Sequence, residues 1–327
     1  MAHSQQASPS LSSVLVYIFC LLVGGTAFFF AGLTTGLHGE GFPAVIATCL
    51  RFSVACIFFG AIWAFYSRKP MRLRDFFWMV FAGAISAAGH TLAYQSNMVI
   101  GSGPVTVMFA SCAVGASLIS AATGIEALNL RKIVGSTVCF CGVLIVFGQD
   151  LLHAGGNSAA AWKLVLATAI FSSTSVILKR TKCDICAQAT VWYASAAICL
   201  WITIWVTGAK VPPAVPLTAV FGLLWIVAVV SIAGFGAYLY VMRRFALSTV
   251  MVQACINPFI ALAVHAMVGG ALLSIKVWLG SVVVIAGVAL IIFQSQAKEP
   301  QAIEAVPELT EDSCVPGRVL TGETVAT

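Results

Sequence analysis

Negative charge is what this chain most lacks. Charged residues of both signs make up 9% of it, against about 25% in an ordinary soluble globule. Six of the eleven acids (Glu299, Glu304, Glu308, Glu311, Asp312 and Glu323) crowd into the last thirty residues. The body keeps five: Glu40, Asp75, Glu126, Asp150 and Asp184. None falls at the centre of an apolar run, which argues against acid-dyad proton pumping and against cation passage through carboxylate sites. No glycine-rich phosphate loop is present, so the chain does not burn ATP by itself. Paired aspartates, a His-Glu metal set and a Ser-His arrangement are also missing. The reading therefore contains no enzyme activity, no catalytic residue, no cofactor and no metal.

What is abundant is apolar length. The chain is 60% hydrophobic, with a mean hydropathy of +1.01. Only a helix satisfies its own backbone in hydrocarbon, and crossing takes about 20 residues. The pattern predicts an all-α integral membrane protein with ten transmembrane helices, near 12–34, 43–66, 76–98, 103–124, 131–148, 160–178, 186–207, 217–242, 247–269 and 276–294. The run from Leu11 to Leu33 is too long for a signal-peptide core and has no basic leader, so it is expected to stay as a span. Gly101-Ser102-Gly103-Pro104 reads as a tight turn that starts the fourth helix on a proline. Pro212-Pro213 and Pro216 mark the loop before the eighth. Residues 149–159 form the expected linker between halves 12–148 and 160–294. Residues 1–11 are an N-terminal tail, and 295–327 are an acidic tail whose composition predicts disorder.

Lysine and arginine set the orientation. With both termini cytoplasmic, thirteen of the seventeen lie inside, including Arg68, Lys69, Arg72, Arg74, Lys179, Arg180, Arg243 and Arg244. Lys163, Lys210 and Lys276 lie outside, and Arg51 lies within a span. The expected location is the cell membrane, multi-pass, N-in and C-in. Eleven cysteines say little about redox compartment, since most lie in apolar runs as small hydrophobes. Cys183-Asp184-Ile185-Cys186 has redox or half-zinc spacing, but without a second pair it reads as a helix-edge coincidence.

The chain also repeats itself. Residues 86–147 moved forward by 145 positions, without a gap, coincide at 14 of 62 places. Ser86, Ala88 and Gly89 fall on Ser231, Ala233 and Gly234; Gly135, Ser136 and Gly142 fall on Gly280, Ser281 and Gly287. Five spans per copy is odd, so the copies face opposite ways: two inverted five-helix repeats. Such repeats flanking a central site are the usual plan of secondary transporters.

Local motifs add a resemblance. Gly24-Gly25-Thr26, Leu50-Arg51-Phe52, Gly124-x-Glu126 with Gly135 and Gly142-Val143, and Asn257-Pro258 with Gly280 and Gly287-Val288 resemble the drug/metabolite transporter superfamily, EamA-type branch. A tryptophan usual in the first motif is missing, Ala113 stands at a proline position, and Ala271 replaces an acid. The resemblance covers roughly residues 12–294. It implies a central cavity lined by spans 1–4 and 6–9, with spans 5 and 10 peripheral, and carriage of small metabolites such as amino acids, mostly outward.

Polar residues at mid-membrane are the candidates for substrate contact: Thr26, Arg51, His90, Tyr94, Ser111, Tyr193, Gln253 and Asn257. An arginine at a helix centre costs about 2.5–3.5 kcal/mol on insertion scales. Arg51 therefore either draws a substrate anion or clamps helices through carbonyls. His90, Tyr94 and Asn97 share a helix face. His90 either carries a coupling proton or is a neutral histidine bonded to a neighbouring helix. Asn257-Pro258, with Gln253 one turn earlier, breaks a helix and frees a carbonyl. Ser111, Ser117, Ser120 and Ser172–Ser175 are further lining candidates, with Trp192 and Tyr193 as an aromatic wall. Glu126 is expected to pair with Arg131. The expected partners are a small-molecule metabolite and the lipid bilayer, not nucleic acid, with a homodimer left open. These features suit an exporter of a small polar or zwitterionic metabolite; the alternatives are an importer or exchanger of an anionic metabolite, and a channel.

Overall fold

The computed structural model describes residues 11–36, 40–67, 70–100, 102–126, 130–154, 158–269 and 275–292. Among the described residues all regular structure is helical. In chain order the helices are α1 (Leu11–Thr35), α2 (Ala44–Ile62), α3 (Leu73–Ile100), α4 (Ser102–Ala110), α5 (Cys112–Ala122), α6 (Leu130–Ala154), α7 (Ser158–Arg180), α8 (Ile185–Thr207), α9 (Leu217–Trp225), α10 (Phe235–Arg244), α11 (Leu247–Gly269) and α12 (Ile275–Ile292). Two π-helical segments interrupt the series: Trp63–Ser67 after α2, and Ile226–Gly234 joining α9 to α10.

Among the described residues, six helical stretches are long and apolar enough to cross a membrane: Leu11–Thr35, Ala44–Ser67, Leu73–Ile100, Ser158–Arg180, Ile185–Thr207 and Leu217–Arg244. They overlie the first, second, third, sixth, seventh and eighth expected spans. Shorter apolar stretches at Met108–Ala122, Ile133–Gly142 and Leu247–Ala261 lie within the fourth, fifth and ninth. The tenth falls on α12. Large apolar side chains face outward, with Leu217 83%, Trp205 85% and Ile57 72% exposed. In water such a belt would aggregate; against lipid it is the ordinary surface.

Local chemistry sets the helix ends. Pro43 and Pro216 precede α2 and α9. Asp184 caps α8, its carboxylate accepting from the N–H groups of Cys186 (2.9 Å) and Ala187 (3.2 Å). Gly208 closes the same helix at φ 65°, where only glycine is unstrained. Two elements depart from the sequence expectation. α6 runs on to Ala154, because nothing from Gln149 to Ala154 breaks a helix before Gly155-Gly156. The expected linker is thereby shortened from both sides, since α7 begins at Ser158; residues 155–157, like both tails and the Ala271 region, lie outside the described residues. The fourth span is divided at Ser111 into α4 and α5.

Packing runs through small residues. α2 lies on α8, α3 on α7 and α8, α1 on α9 and α11, α5 on α7, and α6 on α12. A Cβ at Gly222 would lie 2.9 Å from the Phe30 carbonyl oxygen, so α9 and α1 touch backbone to backbone. α6 and α12 meet reciprocally. A Cβ at Gly142 would lie 2.9 Å from Gly280 O, and one at Gly287 would lie 2.7 Å from Gly135 O. Close backbone approach of this sort is how helices associate where no water drives them together. The core around Phe52, Met79, Trp192, Tyr193 and Leu239 lies between α2, α3, α8 and α10.

Candidate functional site

A cavity of about 210 Å³ lies at the centre of the bundle, with walls from α1, α2, α3, α7, α8, α10 and α11 among others. Among the described residues its one Lys or Arg is Arg51, buried at 9% exposure. Nε donates to Ser231 Oγ at 2.5 Å, and Nη1 donates to Tyr94 OH at 3.2 Å. Its Cζ lies 5.4 Å from the centre of the Phe52 ring. Among the described residues no carboxylate lines the cavity. The guanidinium is thus held by neutral groups, which fix its place without cancelling its charge.

The partner serine belongs to the π-helical segment. Ser231 Oγ donates back to Ile226 O at 2.9 Å, five residues earlier, in the register of that segment. Tyr193 OH donates to Ser231 O at 2.8 Å, from α8. Together, Tyr94, Tyr193 and Ser231 form a frame behind Arg51.

His90 stands on another wall. Because a carbonyl can only accept, the 2.9 Å contact with Ser86 O makes Nδ1 the protonated nitrogen. A neutral ring therefore offers Nε2 as an acceptor. The imidazole meets Phe171 (4.5 Å) and Phe52 (4.9 Å) edge to face.

The third wall is α11. Gln253 Oε1 accepts from Cys20 Sγ at 3.3 Å, and Asn257 packs on Gly24 of α1. Pro258 lies inside the helix and has no N–H for the Ala254 carbonyl; Ala254 is itself a wall residue. Aromatic rings complete the lining. Trp192 stacks on Phe235 with centres 4.6 Å apart, Phe109 meets Phe171 at 4.8 Å, and Tyr238 OH bonds Ser175 Oγ at 3.1 Å. Two wall residues carry buried polar atoms with no hydrogen-bond partner, Trp192 Nε1 and Asn257 Oδ1. Such atoms are costly to leave unpaired.

Of the eight residues expected from sequence, Arg51, His90, Gln253 and Asn257 line the cavity. Tyr94 and Tyr193 lie behind it, as Arg51's frame. Thr26 faces away from it: its hydroxyl donates to Val23 O (2.8 Å) and accepts from Trp225 Nε1 (3.2 Å). Ser111 spends its hydroxyl on Met108 O at 2.6 Å, at the break between α4 and α5. Trp192 rather than Tyr193 is the wall aromatic, since neighbours on a helix point about 100° apart. Asn97 bonds Phe28 O at 3.3 Å and leaves the His90 stripe. Thr174 and Ser175 do line the cavity, whereas Ser172 bonds Thr168 O at 2.9 Å. The rings of Phe109, Phe171 and Phe235 and the thiols of Cys20 and Cys112 carried no signal, because in a chain this apolar they look like any other core residue.

At one end of the bundle, the connector from α10 to α11 is pinned from two sides. Glu126 accepts from Leu247 N–H at the start of α11, and Lys179 Nζ donates to Met242 O (2.5 Å) and Phe245 O (2.6 Å). Glu126 therefore serves as a helix cap; the side chain of Arg131, expected as its partner, lies outside the described residues.

No family model matches the sequence, and no curated protein matches it. A solved structure described only as "Crystal structure of protein" is similar in fold, with a TM-score of 0.67 over 89% of this chain and 100% of that one. The two are 16% identical, so the likeness is one of fold alone.

Proposed function

We propose that this chain is a secondary transporter of the cell membrane that exports a small polar or zwitterionic, amino-acid-like metabolite by alternating access. The observation that carries this reading is a buried guanidinium that faces a central cavity and has neutral hydrogen-bond partners only. A substrate carboxylate is the natural counter-charge for such a group. Asn257, His90 Nε2 and the ring faces of Trp192 and Phe235 supply acceptors and a cation-compatible surface for the rest of a zwitterion.

The wider reading is ten spans in two inverted repeats, N-in and C-in, resembling the EamA-type drug/metabolite transporters. Reciprocal contacts support it. Cys139 Sγ contacts Val284 O and Cys255 Sγ contacts Ala110 O, each pair 145 residues apart, the offset of the sequence repeat. Gly142 against Gly280 and Gly287 against Gly135 are one contact made twice at that same offset. A two-fold relation between halves produces such pairs. The cavity straddles the same relation, for His90 and Phe235, Phe109 and Ala254, and Cys112 and Asn257 are repeat mates that all line it.

A second reading, an importer or exchanger of an anionic metabolite, is favoured by a cavity wall that has Arg51 and, among the described residues, no acid. One experiment separates the two. Purified protein in liposomes is given radiolabelled amino acids and sugar phosphates, with and without a pH gradient. Saturable amino-acid flux is the expected result; flux of sugar phosphates alone selects the anion reading, and flux of neither discards both.

A further inference from the structure

We infer that the π-helical segment Ile226–Gly234 is the device that aims Arg51, and that Ser231 is thereby a positioning residue that sets selectivity for an anionic group. This rests on the transporter reading above. A π-helix wastes hydrogen-bond geometry and usually survives only as a brief bulge, often at a functional site. Here it spans nine residues in the middle of the bundle, and two of them, Val230 and Gly234, are cavity wall.

The wider turn lets Ser231 Oγ reach Ile226 O five residues back while a lone pair stays turned to Arg51 Nε, 2.5 Å away. Tyr193 locks the backbone at that point through Ser231 O. Removing one residue from the segment would let the wide turn close toward an ordinary α-helix and end the five-residue reach from Ser231 to Ile226 that aims the hydroxyl at the guanidinium. The repeat mate shows the contrast. Ser86 lies in the regular helix α3, and its hydroxyl shares a 3.1 Å bond with Thr174 Oγ1 instead of a cation. The same serine holds a charge only where the helix is widened.

The test uses purified full-length protein and direct binding of glycine, alanine, leucine and their carboxamides. Wild type should prefer each carboxylate to its amide. Ser231→Ala should weaken carboxylate binding about tenfold, the scale of one lost bond to a charged group, with amide binding unchanged. Ser231→Thr, which keeps the hydroxyl, should restore the preference. Thermal unfolding of each point variant reveals any that fails to fold, and Ser231→Thr keeps the test decisive. If Ser231→Ala keeps the wild-type carboxylate-to-amide ratio while Arg51→Gln loses it, the positioning role is wrong and the transporter reading survives. A wild-type protein without carboxylate preference overturns the anion site and this proposal together. Binding of none of these compounds overturns the amino-acid-like reading as well.

Discussion

Arg51 shows how much a single side chain can be asked to do in an apolar bundle. Partners with full negative charge would make it a strut; a serine and a tyrosine leave it a strut with an uncompensated charge. Arg51→Gln is therefore expected to lower affinity for carboxylate substrates by about ten- to a hundredfold, the value of a charged hydrogen-bonded contact, read as a rise in the transport KM in liposomes. Cys183 illustrates the opposite case, a reactive-looking residue made inert. It lies in the turn between α7 and α8, where burial pushes its thiol up to about 11 despite the opposing pull of Arg243. Only the thiolate is nucleophilic. Alkylation of Cys183 by iodoacetamide should be negligible at pH 7 and climb about tenfold per pH unit from 8 to 10, followed peptide by peptide by mass spectrometry. A fast rate already at pH 7 would reinstate the Cys-x-x-Cys pair as a redox motif.

Among the described elements, α6 and α12 form the most extensive seam. Gly142 and Gly287 coincide at the 145-residue offset, so under the proposed inverted repeat their substitutions should be equivalent in effect. Gly142→Val and Gly287→Val are each expected to cost about 1–3 kcal/mol through overpacking, seen as similar drops in Tm in detergent. A large effect at one and none at the other would argue against the two-fold relation. The α10–α11 connector is the second informative element. Lys179→Met removes two bonds to its carbonyls, and Glu126→Gln weakens the charged cap of α11, each worth about 1 kcal/mol. Hydrogen exchange should rise at residues 245–248 in both variants and stay level across α6. The π-helical segment of 226–234 had no sequence signature, for it holds no proline and its glycine lies at its end. Its register comes from Ser231 meeting Ile226, Arg51 and Tyr193, three partners brought together only by folding.

The molecule as a whole makes a topological prediction. With the ten proposed spans, thirteen cations fall on one side and three on the other, a bias that predicts both termini in the cytoplasm. Reporter tags fused at residues 1 and 327 should both score cytoplasmic, and a cysteine-reactive probe that cannot cross membranes should reach a label engineered at Lys210 from outside. Opposite compartments for the two tags would remove the even span count and, with it, the inverted arrangement. Helices, their approximate limits and the membrane as solvent were legible in the sequence, because hydrocarbon leaves a backbone few options and lets no long polar run pass unnoticed. Arg51, His90, Gln253 and Asn257, which line the cavity, were legible as candidates for the same reason: polar groups are conspicuous where almost nothing else is polar. Which of them share one cavity was not, nor that Tyr94, Tyr193 and Ser231 stand behind Arg51 rather than beside it. Those facts depend on the rotation of each helix about its axis and on contacts between residues up to 233 positions apart, and rotation is settled by packing between neighbours, not by the hydropathy of the strand of sequence that makes each helix.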